Sequence, residues 1–375
     1  MEKVGKEDMN KLGFGFLRLP MLEKDGEIDL ERLNEMVDVY LQHGKKYFDT
    51  AYTYLNGKSE WAIRESVVKR HSREEFLLAD KLPGYQMKSY EDCRRCFEVQ
   101  LERCGVDYFD VYLLHWLNGA NDKTAEKYRE FQFLQELKKE GKARRIGFSF
   151  HDTADLLDEI LTRHPEVDVV QLQINYLDWE SEAVQARLCY ETAVRHGKKV
   201  IVMEPVKGGT LASLPPDAAR KLRQIDPSAS AASLAIRFAA SLPGVEVVLS
   251  GMNAMEQLLD NLQETEPLSE AERKEMVQAA VDIRQSIAVP CTGCGYCVSG
   301  CPKQICIPRY FKLYNEYAAC PGDDWKIRPA YDRLALKNGR AAECIGCKSC
   351  ERHCPQKLSV TEYLKKVAEV FDNGK

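Results

Sequence analysis

The chain has 375 residues, 44% of them hydrophobic and 30% charged, with 53 basic against 58 acidic side chains and a formal charge of −5. That balance describes a soluble globular protein long enough for two or three domains, and without a basic stripe it argues against a nucleic-acid partner. The charged opening MEKVGKEDMN lacks the apolar core of a secretory signal, and Arg237 and Pro243 interrupt the longest apolar run, so no membrane span is expected and the cytoplasm is the expected compartment.

Taken in chain order, short β-rich runs alternate with amphipathic stretches. LGFGFLRL (12–19) reads as the first strand, followed by a helix over 29–44 with Leu30, Leu33, Val37 and Leu41 on one face. Further strands are expected at 47–49, 76–79, 109–115, 144–149, 167–174, 199–203 and 245–250, with helices at 59–70, 124–141 and 181–197 among them. The run SYEDCRRCFEVQLERCG is helical, and its lone C-x2-C, Cys93 and Cys96, reads as helix packing. Eight strands, each followed by a helix, is the count of a (β/α)8 TIM barrel. No G-x-G-x-x-G follows a strand, which weighs against an open dinucleotide-binding sheet. In a barrel, chemistry belongs at the C-terminal strand ends, where Asp49, Lys81, His115, Ser149 and Gln171 stand.

Over most of residues 12–265 the sequence resembles the aldo-keto reductase family. YFDTAYTYLNGKSE (47–60) is similar to that family's Asp-x-Ala-x-x-Tyr signature, LADKLP to its lysine segment and VDYFDVYLLHW to its histidine segment. The resemblance implies a catalytic tetrad of Asp49, Tyr54, Lys81 and His115. Carbonyl reduction needs a hydride at carbon and a proton at oxygen. A tyrosine titrates near pH 10 unless tuned, so Lys81 is expected to ease formation of tyrosinate while Asp49 holds the lysine. His115 is expected to donate to the developing oxyanion.

The same resemblance implies NAD(H) or NADP(H) across the barrel mouth, beside Gly15, Phe16 and Leu17 of the opening loop and next to Asp49. Ser149 and Gln171 stand at the carboxamide positions, with Phe150 where relatives carry asparagine. Met203 falls where many relatives stack an aromatic ring, and a thioether can cover a ring as well. Pro205 and Gly208 follow it in VMEPVKGG. Ser250, Gly251, Gln257 and Asn261 occupy the adenosine-end motif. Gly251 and Gln257 stand where NADPH-preferring members carry cations, so NADH is expected to serve at least as well.

Of 14 cysteines only Cys93, Cys96, Cys104 and Cys189 precede residue 290, a shift that marks a boundary near 287–290 and predicts domains 1–286 and 287–375. CTGCGYCVSGCP places Cys291, Cys294, Cys297 and Cys301 as C-x2-C-x2-C-x3-C-P, and CIGCKSCERHCP repeats it with Cys344, Cys347, Cys350 and Cys354. In such repeats the fourth cysteine ligates the other cube. Two [4Fe–4S] clusters follow: one on Cys291, Cys294, Cys297 and Cys354, the other on Cys344, Cys347, Cys350 and Cys301. Zinc also takes C-x2-C pairs but fits this repeat poorly. The helical segments at 308–319, 324–339 and 358–373 resemble the helical type of two-cluster ferredoxin, and Cys306 and Cys320 are read as structural thiols.

Three functional readings stand at this point. The first is a nicotinamide-dependent oxidoreductase interconverting a small carbonyl and an alcohol, with an appended cluster domain. The second is an oxidoreductase linked to ferredoxin or another electron carrier, passing electrons through the clusters to a substrate or flavin at the barrel mouth. The third is a non-catalytic redox-sensing subunit. The segment after His115 is expected to be a short polar loop.

Overall fold

A computed structural model describes residues 11–22, 26–182, 184–263, 265–319 and 324–372. The chain divides into two compact units. The first is the stretch ending at Val206 together with Ala232–Arg273, and the second is Lys207–Ala231 together with Lys274–Lys375. The 25 residues after Val206 thus belong with the cysteine-rich part, not with the barrel sequence on either side of them.

The first unit is a closed barrel of parallel strands in sequential order. They are β1 (Leu12–Gly15), β2 (Tyr47–Asp49), β3 (Leu77–Leu82), β4 (Phe109–Leu117), β5 (Ala143–Phe150), β6 (Val169–Gln173), β7 (Lys199–Met203) and β8 (Val245–Gly251). Around them run α1 (Leu30–Gln42), α2 (Lys58–Ile63), α3 (Tyr90–Cys104), α4 (Gly119–Lys127), α5 (Glu130–Lys139), α6 (Ala154–Arg163) and α7 (Ala186–Arg195). Outside that alternation lie α8 (Pro216–Ile225), which falls in the second unit, α9 (Ala231–Ala240), α10 (Met255–Asn261), and α11 (Glu270–Ser286), which begins in the first unit and continues into the second.

Side chains alternate across a strand, so every second residue enters the barrel. Tyr47, Ala79, Val111, Leu113, Val169, Ile201, Val247 and Leu249 meet there as one buried cluster. Glycines adjust the fit. A Cβ on Gly13 would lie 2.7 Å from Val247 Cγ1, and one on Gly147 only 2.0 Å from the Val169 carbonyl oxygen.

Three sequence expectations need correction. The first strand ends at Gly15, because Phe16 turns away and its N–H donates to Asp49 O at 2.8 Å. The helix expected at 124–141 is two, α4 and α5, broken at Arg129, which takes a left-handed φ of 55°. Apolar periodicity cannot register such a break. The polar loop expected after His115 contains α4, whose N-terminus is capped by Asn118 Oδ1 accepting from Ala120 and Asn121 N–H.

The second unit is helical, with α12 (Ile307–Ala319), α13 (Asp324–Ala335), α14 (Ser349–Arg352) and α15 (Val360–Phe371). Tyr310, Phe311, Tyr331, Leu364, Val367 and Phe371 form its core, with Cys297 and Cys350 packed in it. Cys320 lies outside the described residues, and Cys306 is half-buried. Among the described residues no helix is long and apolar enough to cross a membrane.

Candidate active site and cluster pocket

The expected site residues sit one step beyond the barrel's inner core layer. Asp49 follows Tyr47 by two positions, Lys81 follows Ala79, His115 follows Leu113, Gln171 follows Val169, and Met203 follows Ile201. The period that fills the core therefore also aims these polar side chains at the mouth.

Lys81 is fully buried, and its Nζ donates to Asp49 Oδ1 at 2.6 Å and to the Thr50 carbonyl at 2.7 Å. The same ammonium lies 4.9 Å from the Tyr54 ring centroid. The His115 ring meets that of Tyr54 edge-on, centroids 5.6 Å apart. All four expected tetrad members are thus together. A bulge between Leu114 and Leu117 re-aims the end of β4, where Trp116 has φ 62° and donates its N–H to Ser149 Oγ at 2.8 Å.

The electrostatics differ from expectation at one point. Burial pushes the Tyr54 phenol well above its ordinary range, Asp49, Tyr85 and Glu204 add to the rise, and Arg18 opposes it. In the resting site the charge of Lys81, paired with Asp49 at contact, does not outweigh this burial. The Asp49 carboxyl is raised by burial and pulled back by Lys81. His115 is held well below its usual range, first by burial and then by Lys81 and His151, so its ring is neutral near pH 7.

Gln171 donates through Nε2 to Met203 Sδ at 3.6 Å, while its buried Oε1 has no hydrogen-bond partner among the described residues. An orphaned acceptor at the mouth fits the N–H of a carboxamide. Gly15 pairs with both Asp49 and Gly251 across the sheet. Phe16 can offer only its backbone, because its ring is buried between Phe14 and Phe48. Leu17 is half-buried and Pro205 buried. At the end of β8, Asn261 Nδ2 donates to Ser250 Oγ at 3.0 Å, and the Asn253 N–H donates to Gln257 Oε1 at 2.9 Å. A Cβ on Gly251 would come 3.3 Å from the Arg18 side chain. Gly208 lies in the second unit with φ 64°, where a Cβ would be 2.0 Å from the Thr292 carbonyl oxygen; that contact explains why it is glycine.

Sequence reasoning missed Tyr85, Arg18 and Glu204. Tyr85 packs edge-on against Trp116 with centroids 5.3 Å apart and also reaches His115. None of the three carries a motif of its own; Glu204, in a left-handed conformation at φ 58°, is recognisable only once its backbone is known.

In the second unit, one cavity is lined by Cys291, Cys294, Cys297 and Cys354, with Thr292, His353 and Gln356 around them. Burial raises the Cys297 thiol, and charge on Cys294, Cys291, Cys354 and Cys350 would raise it further, so the four sulfurs crowd one poorly solvated place. Among the described residues no three such side chains converge as a single ion requires. Four cysteines drawn from both repeats and lining one cavity are the donor set that an iron–sulfur cube takes. By contrast, Cys93 donates to the Ser89 carbonyl and Cys96 to Gln100 Oε1 inside α3; burial pushes the Cys93 thiol up to about 12.

Comparison with known proteins agrees with this geometry. Residues 11–281 match the aldo/keto reductase family and residues 290–359 a 4Fe-4S dicluster domain. The chain is 35% identical over 129 residues to a glyoxal reductase of Bacillus subtilis, covering 33% of this chain and 44% of that protein. It is 28% identical over 204 residues to an NADH-specific methylglyoxal reductase of Escherichia coli, covering 50% of this chain and 60% of the relative. It therefore spans only about half the length of these curated relatives. An aldo-keto reductase from Bacillus halodurans in its holo form superimposes with a TM-score of 0.58 at 24% identity, over 72% of this chain and 91% of that one, and supports the fold. With an eight-stranded closed barrel and a family match over 11–281, the chain belongs to the aldo-keto reductase family, and it carries a 4Fe–4S domain further along the sequence, at 290–359.

Proposed function

We propose that this protein interconverts a small carbonyl and an alcohol by hydride transfer with a nicotinamide cofactor, and that its second unit carries two [4Fe–4S] clusters. The observation that carries the reading is the buried Lys81–Asp49 pair beside Tyr54 and His115. A bound nicotinamide supplies the hydride. The chain's own residues supply the rest. Tyr54, kept protonated by burial, gives its phenolic proton to the carbonyl oxygen as charge develops there. Neutral His115 orients that oxygen by a hydrogen bond without adding a charge. Lys81, fixed by Asp49 and the Thr50 carbonyl, lies against the tyrosine ring and favours the tyrosinate left behind.

The orphaned Gln171 Oε1 supports a carboxamide contact, with Ser149, Met203, Gly15 and the Ser250–Asn261 pair around the cofactor. Gly251 and Gln257 bring no cation of their own to the adenosine end, which supports use of NADH at least as well as NADPH, in line with an NADH-specific relative. Comparing kcat/KM for the two cofactors tests this, and a large NADPH preference would defeat it.

In the second unit, Cys291, Cys294, Cys297 and Cys354 hold one cube, and Cys344, Cys347, Cys350 and Cys301 the other. One observation favours electron exchange with a carrier as a second reading: Cys347 is exposed and Ile345, two residues before it, is 62% exposed, so one thiol of the second set opens to solvent beside an apolar side chain. The deciding experiment is anaerobic. Purified protein is mixed with NADH, with and without a carbonyl panel, while visible absorption and EPR are recorded. Turnover with silent clusters supports hydride transfer alone. Bleaching by NADH or reduced ferredoxin, with flavin extracted from the protein, supports the second reading. Nucleotide binding without turnover on any carbonyl defeats both.

A further inference from the structure

The second unit includes a segment that the cysteine pattern alone does not reveal. Lys207, four residues beyond the end of β7, is buried at 3% exposure, and its Nζ donates to Gln356 Oε1 at 2.9 Å. Gln356 lines the cavity of Cys291, Cys294, Cys297 and Cys354. Lys207 holds a left-handed φ of 46°, a conformation that disfavours a side chain bearing a Cβ. The next residue, Gly208, lies so close to the Thr292 carbonyl that no larger residue fits without movement. Thr292 and Gln356 both line that cavity, one directly after Cys291 and the other two residues after Cys354. The Lys-Gly-Gly turn is therefore held against the rim of this pocket at two points.

A cube with four thiolates is an anion, and it gains one more negative charge when reduced. A nearby ammonium in a poorly solvated site favours the reduced state over the oxidised one. We propose that Lys207 raises the reduction potential of the cluster held by Cys291, Cys294, Cys297 and Cys354, with Gln356 fixing the ammonium at the pocket rim. The effect is one of charge placement: one electron enters the cube, and the fixed cation offsets the added negative charge.

This proposal rests on the cluster assignment above. Iron and acid-labile sulfide in the unaltered, anaerobically purified protein test that assignment first, and protein without iron would defeat it separately. The proposal itself is tested by dithionite titration of the full-length protein followed by EPR. In cluster-replete K207Q, one cluster's midpoint falls by at least tenfold in the one-electron equilibrium constant, about 59 mV, while the other stays in place. K207R, which keeps the charge, retains the original midpoint. An unchanged or higher midpoint in K207Q overturns the proposal, as does an equal fall in both clusters. Should K207Q fail to load clusters, Q356L decides: releasing the ammonium from the rim lowers the same midpoint, and an unchanged value overturns the proposal.

Discussion

At the scale of single residues, the site depends on ionisable groups held out of water. Asp49 and Lys81 stabilise each other at 2.6 Å, and each alone would be an uncompensated buried charge. Removing one partner of such a pair typically costs about 3–5 kcal/mol. D49N is therefore expected to lower the melting temperature more than the D49N/K81M double variant, a comparison that calorimetry makes directly. K81M should also lower kcat by about 10²–10⁴-fold if the lysine supports proton transfer from Tyr54. Two buried groups predict opposite pH dependences. The pKa of His115 is depressed in the folded chain, so its contribution to stability is full above pH 6.5 and is lost as pH falls below it; H115L should flatten that loss. Burial raises Glu130 to about 7, so its contribution is present below pH 4.5 and lost as pH rises through 7. E130Q should therefore be more stable than the parent at pH 8, by up to about 3 kcal/mol, with little difference at pH 4.

At the scale of elements, glycines decide where backbones can approach. On β5, a Cβ at Gly147 would come 2.0 Å from a backbone oxygen of β6, which cannot move aside as a flexible side chain can. G147A should lower stability by at least about 3 kcal/mol in urea unfolding, beyond the usual cost of overpacking. The strands were readable because β-branched and aromatic runs alternate with amphipathic helices. The break at Arg129 and the helix after Asn118 were not, since a left-handed residue and a capping asparagine leave no periodic signal. The four candidate tetrad residues were recognisable through the resemblance of their segments to the family's motifs. Tyr85 and Glu204 were not, because they reach the same place from a loop after β3 and from a strained residue after β7.

At the scale of the whole molecule, the cysteine-rich unit has a core of its own, and part of it lines a pocket of thiols. If clusters occupy it, removing iron should leave those thiols as unbalanced buried groups. Chelation under anaerobic reducing conditions is then expected to lower the melting of the second unit while the barrel's transition stays in place. Differential scanning calorimetry would show two separated transitions, and a single unshifted one would contradict this. The sequence by itself determined the barrel and both cysteine repeats, because each is a local pattern with a telling spacing, and its resemblance to the family supplied the tetrad candidates. Only the tertiary structure decided that Lys207–Ala231 belongs with the cysteines and that Lys207 stands at their pocket. It also decided that burial, more than Lys81, governs Tyr54. Those outcomes depend on contacts between residues far apart in the chain, and on how much water each charge has lost, neither of which a local pattern records.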